Sequence, residues 1–379
     1  MTVRLRIAVL GRNFSSRGGG AERYGVELAD ALAQAHEVHV FAQHFEQAPA
    51  SVQCHTVAMP WKRPRWINQL YFAWATWRAT HSGFDHVISH ENTWHGDVQV
   101  VHVLPIRHNL LAGRTGIRRL LRWIKVATSP RLLAYLWLER RRYRPEPGRK
   151  IVVTSQTLRG HLVAAYPASE PMVHVIPPGL HDVPGPASAQ AKAGARQALG
   201  LPAKVPVLLF VGNDFRKKGL PALLDAMSAL PPEVHLLVVG EGRQMAQMRT
   251  LAQALQGRVR FAGSLADVGP AYRAADLLVH PTLEDTYAMV VLEAMAHGLP
   301  VVVSQGRYCG IAAELLPSAG VALLQDPLDA AALAACLQDM LARQLPGPGP
   351  WEDVLGFASA RTWRNVAHQF AGLLGAEAP

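Results

Sequence analysis

Residues 5–41 read LRIAVLGRNFSSRGGGAERYGVELADALAQAHEVHVF, and this stretch decides the fold of the first half of the chain. Leu5–Leu10 is a short apolar run, Arg12–Gly20 is a loop, Ala21–Gln34 has a helical pattern, and Val38–Phe41 is a second apolar run. A strand, a glycine-rich loop, a helix and another strand form the unit from which parallel sheets are built. The stretch therefore predicts an α/β fold with a Rossmann-like parallel sheet.

The same alternation continues along the chain. Strand candidates in the first half follow at Val52–Thr56, His86–Ser89, Val98–Val103, Ile151–Thr154 and Val173–Ile176. A second series lies at Val207–Gly212, Val234–Gly240, Val259–Ala262, Leu277–His280 and Pro300–Val303. With 379 residues the chain is long enough for two domains of ordinary size. Two Rossmann-like domains are therefore expected.

Breaks in the alternation place the domain boundaries. Pro177-Pro178-Gly179 and the loose stretch Val183–Ala191 separate the two series of strands, so we place one domain at residues 1–182 and the other at 183–359. The Pro/Gly run Pro346–Pro350 breaks the chain again. Beyond it, Ala360–Leu374 has the pattern of an amphipathic helix, with an apolar face made of Trp363, Val366, Phe370 and Leu373.

Composition indicates a globular, intracellular protein. Hydrophobic residues make up 49% of the chain and charged residues 17%, which excludes a disordered chain. The cysteines Cys54, Cys309 and Cys336 are too scattered for a disulfide framework or a zinc site, which fits a reducing cytoplasm. No signal peptide is recognisable, and no run of 18 apolar residues could span a bilayer.

Positive charge is concentrated in one segment. The whole chain has a formal net charge of +10, whereas residues 107–150 alone carry +11. Aromatic residues such as Trp123 and Trp137 lie between these cations, and residues 61–66 (WKRPRW) are similar. Cations and interfacial aromatics together favour an anchor on an anionic membrane surface. A solvated surface helix would have the same sequence pattern. Nucleic acid would also pair with these charges, but no nucleic-acid-binding fold accompanies them.

Ligands of open parallel sheets bind at the carboxyl ends of the strands, so the loops that follow strands hold the candidate site. The first such loop ends in Gly18-Gly19-Gly20, at the start of a helix. Glycines let a ligand approach the backbone, and the amides of a helix N-terminus favour an anion such as a diphosphate. A flexible turn would carry the same glycines. The loop is neither G-x-G-x-x-G nor a Walker loop, so nicotinamide and P-loop functions lose their main support.

Two loops of the second domain carry charged residues. Val211–Gly219 contains Arg216, Lys217 and Lys218, cations that could neutralise a departing nucleotide diphosphate. The alternative is a solvated basic turn. Asp285 and Glu293 lie on either side of a loop-to-helix junction. A carboxylate on the helix could accept hydrogen bonds from a ribose diol, although Glu293 could also be an exposed helix residue.

His102 is the fourth candidate, near the end of the strand Val98–Val103. A single histidine between valines is more often a core residue, hydrogen-bonded to backbone, than a catalytic one. Its position at the carboxyl end of a strand is what makes it a candidate.

Together these motifs resemble the retaining glycosyltransferases of family 4, which have the two-domain GT-B fold. The resemblance rests on GGAER at 19–23, VIPPGL at 175–180, the Lys-Gly pair at 218–219, and HPTLEDTYAMVVLEAMAHGLPVV at 280–302. It implies two Rossmann-like domains facing a cleft, with residues 360–379 packing back on the first. Within the family, VGNDFRKKG at 211–219 and VIPPGL are most similar to lipopolysaccharide core α-1,3-glucosyltransferases.

The resemblance assigns roles to the candidates of the second domain, which holds a nucleotide sugar, usually UDP-linked, in this family. It implies that Glu293 binds the ribose hydroxyls and that Lys218, with Lys217 and Arg216 beside it, binds the diphosphate. Asp285 would contact hydroxyls of the transferred sugar. We therefore expect a UDP-sugar, UDP-glucose above all, as donor substrate.

The same resemblance places the acceptor in the first domain. It implies that His102 approaches the reacting sugar and that Gly19 and Gly20 close on the phosphates. No metal is expected, and the sequence has no clear D-x-D motif in a strand-end loop. The expected acceptor is the lipopolysaccharide core or another glycolipid, and the expected location is the inner face of the cytoplasmic membrane.

Four positions depart from the family pattern. Asp285 stands where the family usually has glutamate, Thr286 and Ala288 replace two glycines, and Asn213 replaces an arginine. These departures put the identity of the donor sugar in doubt. Two alternatives stay open: a UDP-sugar epimerase or hydrolase, which shares the two-domain fold, and a non-catalytic partner of a membrane assembly that binds sugar nucleotides, which Asp285 and Ala288 favour.

Overall fold

The computed structural model describes residues 4–15, 19–343 and 352–375, and these residues form two compact units. The first unit consists of the chain up to Gly179 and of the chain from Trp363 onward, and the second unit is Leu180–Thr362. The change from one unit to the other thus comes three residues before the expected boundary after Asp182. Gly18, the run Pro346–Pro350 and residues 376–379 lie outside the described residues.

Seven parallel strands form the sheet of the first unit, and two short strands form a separate pair. The nine strands are β1 (Arg6–Leu10), β2 (Asn13–Ser15), β3 (Glu37–Ala42), β4 (His44–Glu46), β5 (Gln53–Thr56), β6 (His86–Ser89), β7 (Val98–Val101), β8 (Lys150–Val153) and β9 (Val173–Val175). The order in the sheet is β5-β3-β1-β6-β7-β8-β9, and β2 pairs with β4. The sequence analysis did not anticipate β2 and β4, which have only three residues each.

The sheet of the second unit has six parallel strands. They are β10 (Val207–Val211), β11 (His235–Val239), β12 (Val259–Gly263), β13 (Leu277–His280), β14 (Val301–Ser304) and β15 (Val321–Leu324). Their order is β12-β11-β10-β13-β14-β15. The strand β15 was not predicted, because a four-residue apolar run cannot be told from part of a buried helix by its pattern alone.

Helices alternate with the strands in both units. They are α1 (Gly20–Ala33), α2 (Arg65–Thr80), α3 (Ile106–Leu111), α4 (Gly116–Ala127), α5 (Pro130–Arg142), α6 (Gln156–Ala165), α7 (Ala189–Ala198), α8 (Leu220–Ala226), α9 (Met245–Ala252), α10 (Gly269–Ala274), α11 (Met289–Ala296), α12 (Ala330–Arg343), α13 (Glu352–Ser359) and α14 (Trp363–Leu374). Strand–helix alternation with all strands parallel is the Rossmann-like architecture that the sequence predicts.

The last helix completes the core of the first unit. Trp363, Val366 and Phe370 of α14 are buried in the cluster that contains Tyr24 of α1, and Leu373 packs against the same cluster. The rings of Tyr24 and Trp363 meet edge to face, with their centroids 5.1 Å apart. Such aromatic contacts add about 0.5–1.5 kcal/mol to the effect of burial. The predicted apolar face of this helix is therefore the face that packs.

Candidate functional site

Two strand-end loops meet at the carboxyl edge of the second sheet. Strands β10 and β13 are neighbours, so the loops that follow them, residues 212–219 and 281–288, leave the sheet side by side. The backbone N–H of Leu283 donates to the carbonyl of Lys217 at 2.8 Å. Gly219 has a left-handed φ of 80°, and a Cβ there would lie 1.9 Å from the carbonyl oxygen of Pro281. Only glycine allows the two loops to approach this closely.

Lys218, Asp285 and His280 form one polar cluster at this edge. The Nζ of Lys218 forms an ion pair with Oδ2 of Asp285. The same oxygen lies 3.2 Å from Nε2 of His280, whose side chain is 1% exposed. The other carboxylate oxygen, Oδ1, accepts the backbone N–H of Tyr287 at 3.3 Å. The structure thus brings together Lys218 and Asp285, and it adds His280, which the sequence analysis did not single out.

The charge state of the cluster follows from its surroundings. Burial by itself would raise the pKa of Asp285, but the hydrogen bond with His280 and the charge of Lys218 hold that pKa well below its usual range. Burial lowers the pKa of His280, and the contact with Asp285 only partly opposes this. At neutral pH the carboxylate is therefore ionised, and a neutral His280 donates its Nε2–H to it. Within the described residues, Nδ1 of His280 is buried without a hydrogen-bond partner.

The backbone around Asp285 is fixed by a second segment. Its N–H donates to the carbonyl of Tyr308 at 2.8 Å, and its carbonyl accepts the N–H of Gly310 at 2.9 Å. Ala288, where the family pattern has glycine, adopts a left-handed φ of 76° and precedes the first residue of α11. This conformation costs a non-glycine residue roughly 1–2 kcal/mol. The backbone therefore keeps the shape that a glycine would adopt most easily.

Glu293 lies on α11 and is half-buried. Its Oε2 accepts a hydrogen bond from the hydroxyl of Tyr272, at 2.7 Å. The ring of Tyr272, on α10, is buried. Glu293 is thus neither an unpaired buried charge nor a fully exposed helix residue. The sequence analysis missed Tyr272, because it lies 21 positions away and no local pattern links the two residues.

Arg216 and Lys217 point to other partners than Lys218 does. Both are exposed. An Nη of Arg216 donates to Oε1 of Gln247 at 2.9 Å, and Nζ of Lys217 lies 2.6 Å from Oε1 of Glu284. Of the three consecutive cations, the structure places only Lys218 against Asp285. Binding of the diphosphate by Arg216 and Lys217 stays a prediction.

In the first unit, His102 directly follows β7 and pairs with another histidine. The strand ends at Val101, two residues before the predicted end, and Val103 is already exposed. Nε2 of His102 lies 2.9 Å from Nδ1 of His90, and the two rings are stacked. Tyr24 packs against the ring of His102 at 4.9 Å between centroids. His102 is therefore held in one orientation by two side chains from other elements.

Burial keeps both histidines neutral. Burial, together with the charge of Arg142, lowers the pKa of His90 to about 3, and the same two causes, with the neighbouring His90, hold the pKa of His102 well below its usual range. Arg142 is 4% exposed, and its guanidinium donates to Gln99 Oε1 at 3.0 Å and to the carbonyl of Val100 at 2.6 Å. Arg142 belongs to the basic segment 107–150, for which the sequence favours an anchor on an anionic membrane. For Arg142 that prediction is wrong, because this side chain fastens α5 to the sheet.

Gly19 and Gly20 begin α1. Glu22 accepts the backbone N–H of Gly19 at 2.8 Å, so one of the free amides at this helix end is already satisfied. Neither glycine has a positive φ, and a Cβ on either would meet no described atom within 4 Å. The fold of the described residues therefore does not itself require glycine here. Close approach of a ligand remains a physical reason for it.

The basic segment divides into structural and exposed cations. Arg142 and Arg149 are buried. Arg114 donates to two carbonyls of α3, and Arg107 lies over the ring of Tyr166. The remaining arginines and lysines of α4 and α5 lie at the surface: Arg118, Arg119, Arg122, Lys125, Arg131, Arg140 and Arg141. Part of the local charge therefore serves the fold.

The described residues offer neither a membrane-spanning helix nor a cluster of metal ligands. None of the helices there is both long and apolar enough to cross a membrane. Within the same residues, no three side chains of histidine, cysteine, aspartate or glutamate converge to hold a metal ion.

Comparison with known families covers most of the chain. The family described as "Glycosyltransferase Family 4" matches residues 18–182, and "Glycosyl transferases group 1" matches residues 205–343. The lipopolysaccharide glucosyltransferase WaaG of Escherichia coli (strain K12) is 24% identical over 309 residues, which span 78% of each protein. A D-inositol 3-phosphate glycosyltransferase of Xylanimonas cellulosilytica is 35% identical over 167 residues, spanning 40% of this chain and only 39% of that relative.

Solved structures show the same fold. The crystal structure of WaaG, a glycosyltransferase involved in lipopolysaccharide biosynthesis, superimposes with a TM-score of 0.80 at 23% identity, covering 97% of this chain and 99% of WaaG. Anabaena Alr3699/HepE in complex with UDP and glucose gives a TM-score of 0.74 at 18% identity, covering 98% of this chain and all of HepE. With its two parallel-sheet units and its family matches, the chain belongs to the family 4 glycosyltransferases of the GT-B fold.

Proposed function

We propose that this glycosyltransferase moves a hexose from a UDP-sugar, with UDP-glucose as the first candidate, to the lipopolysaccharide core or another glycolipid, with retention of anomeric configuration. Support comes from the names of its relatives: WaaG is a lipopolysaccharide glucosyltransferase, and HepE was solved with UDP and glucose. The motif resemblance at 211–219 and 175–180 favours the same donor and acceptor.

The ion pair between Lys218 and Asp285 is the observation that carries this proposal. In a nucleotide sugar the diphosphate is bonded directly to the sugar ring, so groups that bind the two parts must be neighbours. Lys218 is the expected diphosphate ligand, and Asp285 is the expected ligand of the sugar hydroxyls. Their side chains touch, and Asp285 is ionised and able to accept a hydroxyl hydrogen bond.

In the proposed reaction, the bond between the sugar C1 and the diphosphate oxygen breaks while an acceptor oxygen bonds to the same face of C1. The departing phosphate oxygen takes the acceptor proton, so no protein nucleophile is needed. Lys218 stabilises the negative charge that grows on the diphosphate. His280 keeps Asp285 oriented through its Nε2–H.

In the proposed reaction, residues outside the cluster of Lys218, Asp285 and His280 also bind the donor. Glu293, oriented by Tyr272, binds the ribose hydroxyls. His102 contacts the transferred sugar, and Gly19 and Gly20 contact the phosphates. Cations at 216–218 supply the positive charge, and no metal is needed.

We also propose that α4 docks the enzyme on an anionic membrane, at the inner face of the cytoplasmic membrane. Its residues Ile117, Leu120, Leu121 and Ile124 are each more than half exposed, and their spacing puts them on one helix face. Exposed Arg118, Arg119 and Lys125 share the helix. An exposed apolar face with cations beside it matches the acyl and headgroup layers of such a membrane.

A donor-consumption assay tests the transfer reaction. The purified chain is incubated with UDP-, GDP- and ADP-sugars, with and without truncated lipopolysaccharide, and with EDTA in a parallel series. We expect UDP-glucose to be consumed fastest, consumption to rise strongly with acceptor, and EDTA to leave the rate unchanged. Acceptor-independent consumption would favour the hydrolase or epimerase, and a strict need for a divalent metal would contradict the proposed mechanism.

A further inference from the structure

A pocket lined by three tryptophans lies in the first unit. It has a volume of about 490 Å³, and its walls include Trp77 of α2, Trp94 of the loop before β7, and Trp137 of α5. The rings of Trp94 and Trp137 lie 5.8 Å apart at an angle of 62°. Two helices and one loop, distant from one another in sequence, thus bring their indole rings to one cavity. We call this cavity the tryptophan pocket.

The tryptophan pocket lies away from His102, the candidate site residue on the same sheet. Asp97, also in its wall, directly precedes β7, whereas His102 directly follows that strand. Arg149, another wall residue, directly precedes β8. The pocket therefore opens at the amino edge of the sheet. Five residues of extended chain place Asp97 roughly 16 Å from His102.

The charged residues of the pocket balance one another. Arg141 and Arg149 are opposed by Asp97 and Glu146, and an Nη of Arg149 lies 2.6 Å from Oε2 of Glu146. Arg141 already lies over the ring of Trp137, with its guanidinium carbon 5.8 Å from the centroid. Because the two charges of each sign cancel, the wall favours neither an anionic ligand nor the cation that a cage of aromatic rings would otherwise suit. The pocket thus fits an uncharged molecule that has an apolar face and hydrogen-bonding groups.

His95 supplies unsatisfied polar groups beside the three indoles. It lines the pocket, and both of its ring nitrogens are buried without a hydrogen-bond partner among the described residues. Burial lowers the pKa of His95 to about 4, so at neutral pH its ring has one donor and one acceptor nitrogen. Buried polar groups are rarely left without a partner. Because both nitrogens are buried, the His95 ring must turn toward the pocket before a hydroxyl, which both donates and accepts, satisfies one of them.

We infer that the tryptophan pocket is a second saccharide-binding site, which takes an uncharged pyranose ring of a glycan. The C–H face of a pyranose is apolar and packs on an indole ring, while its rim of hydroxyls offers hydrogen bonds to His95, Asp97 and Glu146. The volume is in the range of cavities that hold small ligands. The site holds a sugar without reacting with it, because the candidate transfer residues lie elsewhere.

Nuclear magnetic resonance of the indole N–H groups tests this inference. The full chain, with labelled tryptophan and saturating UDP, is titrated with the methyl α-glycosides of glucose, galactose and mannose. We expect at least one glycoside to shift the signals of Trp77, Trp94 and Trp137. Trp77→Ala should weaken its binding about tenfold, as loss of one ring contact predicts.

Trp74→Ala is the matched control. Trp74 and Trp77 lie on the same helix and are each 44% exposed, but Trp74 is not in the pocket wall. The control variant should bind the glycoside as the unchanged protein does, and an unshifted indole signal of Trp363, which is buried in the core of the first unit, should show that both variants keep that unit folded. Trp137→Ala, on a different helix, should repeat the loss seen with Trp77→Ala.

Three results would overturn the inference. The first is that no glycoside shifts the three indole signals at tens of millimolar. The second is that Trp77→Ala and Trp74→Ala bind the glycoside equally well. The third is that choline or uridine, titrated in the same way, shifts these signals while the glycosides do not, which would make the pocket a cation or nucleoside site.

Discussion

Lys218 is the residue on which the proposed chemistry depends most. Lys218→Ala removes the cation nearest to Asp285, so charge that develops on the leaving diphosphate loses its stabilisation. We expect kcat to fall by a factor of about 10²–10³, with a much smaller change in the Kd for UDP. Steady-state kinetics and calorimetry measure the two quantities.

Lys217→Ala serves as the comparison for Lys218→Ala. Lys217 is adjacent in sequence, but its Nζ pairs with Glu284 at the surface. The fall in kcat should therefore be smaller for Lys217→Ala than for Lys218→Ala. A larger loss in Lys217→Ala than in Lys218→Ala would transfer the phosphate role to Lys217.

Tyr272 is expected to act through Glu293. Tyr272→Phe removes the hydroxyl that donates to Oε2 of Glu293 and keeps the buried ring. Losing one hydrogen bond of about 1 kcal/mol should raise the Kd for UDP roughly 3- to 10-fold, because the carboxylate is held less firmly. Calorimetric titration of UDP into Tyr272→Phe and into Glu293→Ala tests whether the hydroxyl acts through the carboxylate. If Glu293→Ala weakens UDP binding and Tyr272→Phe leaves it unchanged, the hydroxyl does not position the carboxylate.

Some contacts of the site could be predicted from sequence and others could not. The meeting of Lys218 with Asp285 follows from a general rule, since both residues come just after strands of one parallel sheet. The same rule covers His90 and His102, which directly follow the neighbouring strands β6 and β7, although His90 was not singled out. Tyr272 carries no such signal, because it meets Glu293 through packing of helices that local sequence does not relate. His280 was visible as the last residue of a strand, but its bond to Asp285 depends on how the loop folds back.

At the scale of single elements, α4 carries the prediction about membranes. We expect the triple variant Arg118→Ser, Arg119→Ser, Lys125→Ser to bind vesicles of phosphatidylglycerol and phosphatidylcholine roughly a hundredfold more weakly, at about 1 kcal/mol per cation. Salt should weaken the binding of the unchanged protein, since it screens exposed charges. Vesicle co-sedimentation measures both effects, and UDP affinity should stay constant.

The control for α4 removes equal charge from elsewhere. Lys204, Arg243 and Arg249 are exposed residues of the second unit, and their change to serine should leave vesicle binding nearly as it was. Equal losses in the two triple variants would mean that net charge, and not α4, attracts the protein to the vesicles. Pure phosphatidylcholine vesicles should bind the unchanged protein poorly.

The basic segment also shows what a charge count leaves out. Its sequence correctly indicates helices rich in leucine, tryptophan and arginine, and α3, α4 and α5 occupy it. Counting charges does not reveal their exposure: Arg142 and Arg149 are buried, and both donate hydrogen bonds to oxygens of the first unit, Arg142 to Gln99 Oε1 and Arg149 to the carbonyl of Arg141. A buried arginine that binds the sheet and an exposed one that faces lipid are the same letter in a sequence.

At the scale of the molecule, the periodic pattern predicted most of the architecture. Alternating apolar runs and helical patterns imply parallel sheets, and two series of them imply two units. Short edge elements such as β15 were missed because four residues give too little pattern. The packing of α14 on the first unit was predicted from the family resemblance, since the pattern of an amphipathic helix does not indicate which sheet the helix packs against.

That return makes the stability of the first unit depend on the end of the chain. Phe370 of α14 is fully buried in the core of the first unit, where its ring centroid lies 6.4 Å from that of Tyr24. Phe370→Ala should reduce the free energy of unfolding of this unit by about 3–5 kcal/mol. Eight of the nine tryptophans belong to the first unit, so tryptophan fluorescence during denaturation in urea reports mainly on it.

The second unit should be affected much less, because its cores contain no residue of α14. We therefore expect Phe370→Ala to shift the fluorescence midpoint to a lower urea concentration. The Kd for UDP, measured without denaturant, should stay within about twofold of the original value, which corresponds to a negligible change in binding free energy. Gln369→Ala, at the exposed neighbouring position, should change neither quantity. An unchanged midpoint in Phe370→Ala would show that α14 does not support the first unit. A large rise in the Kd for UDP would show that nucleotide binding depends on the first unit as well.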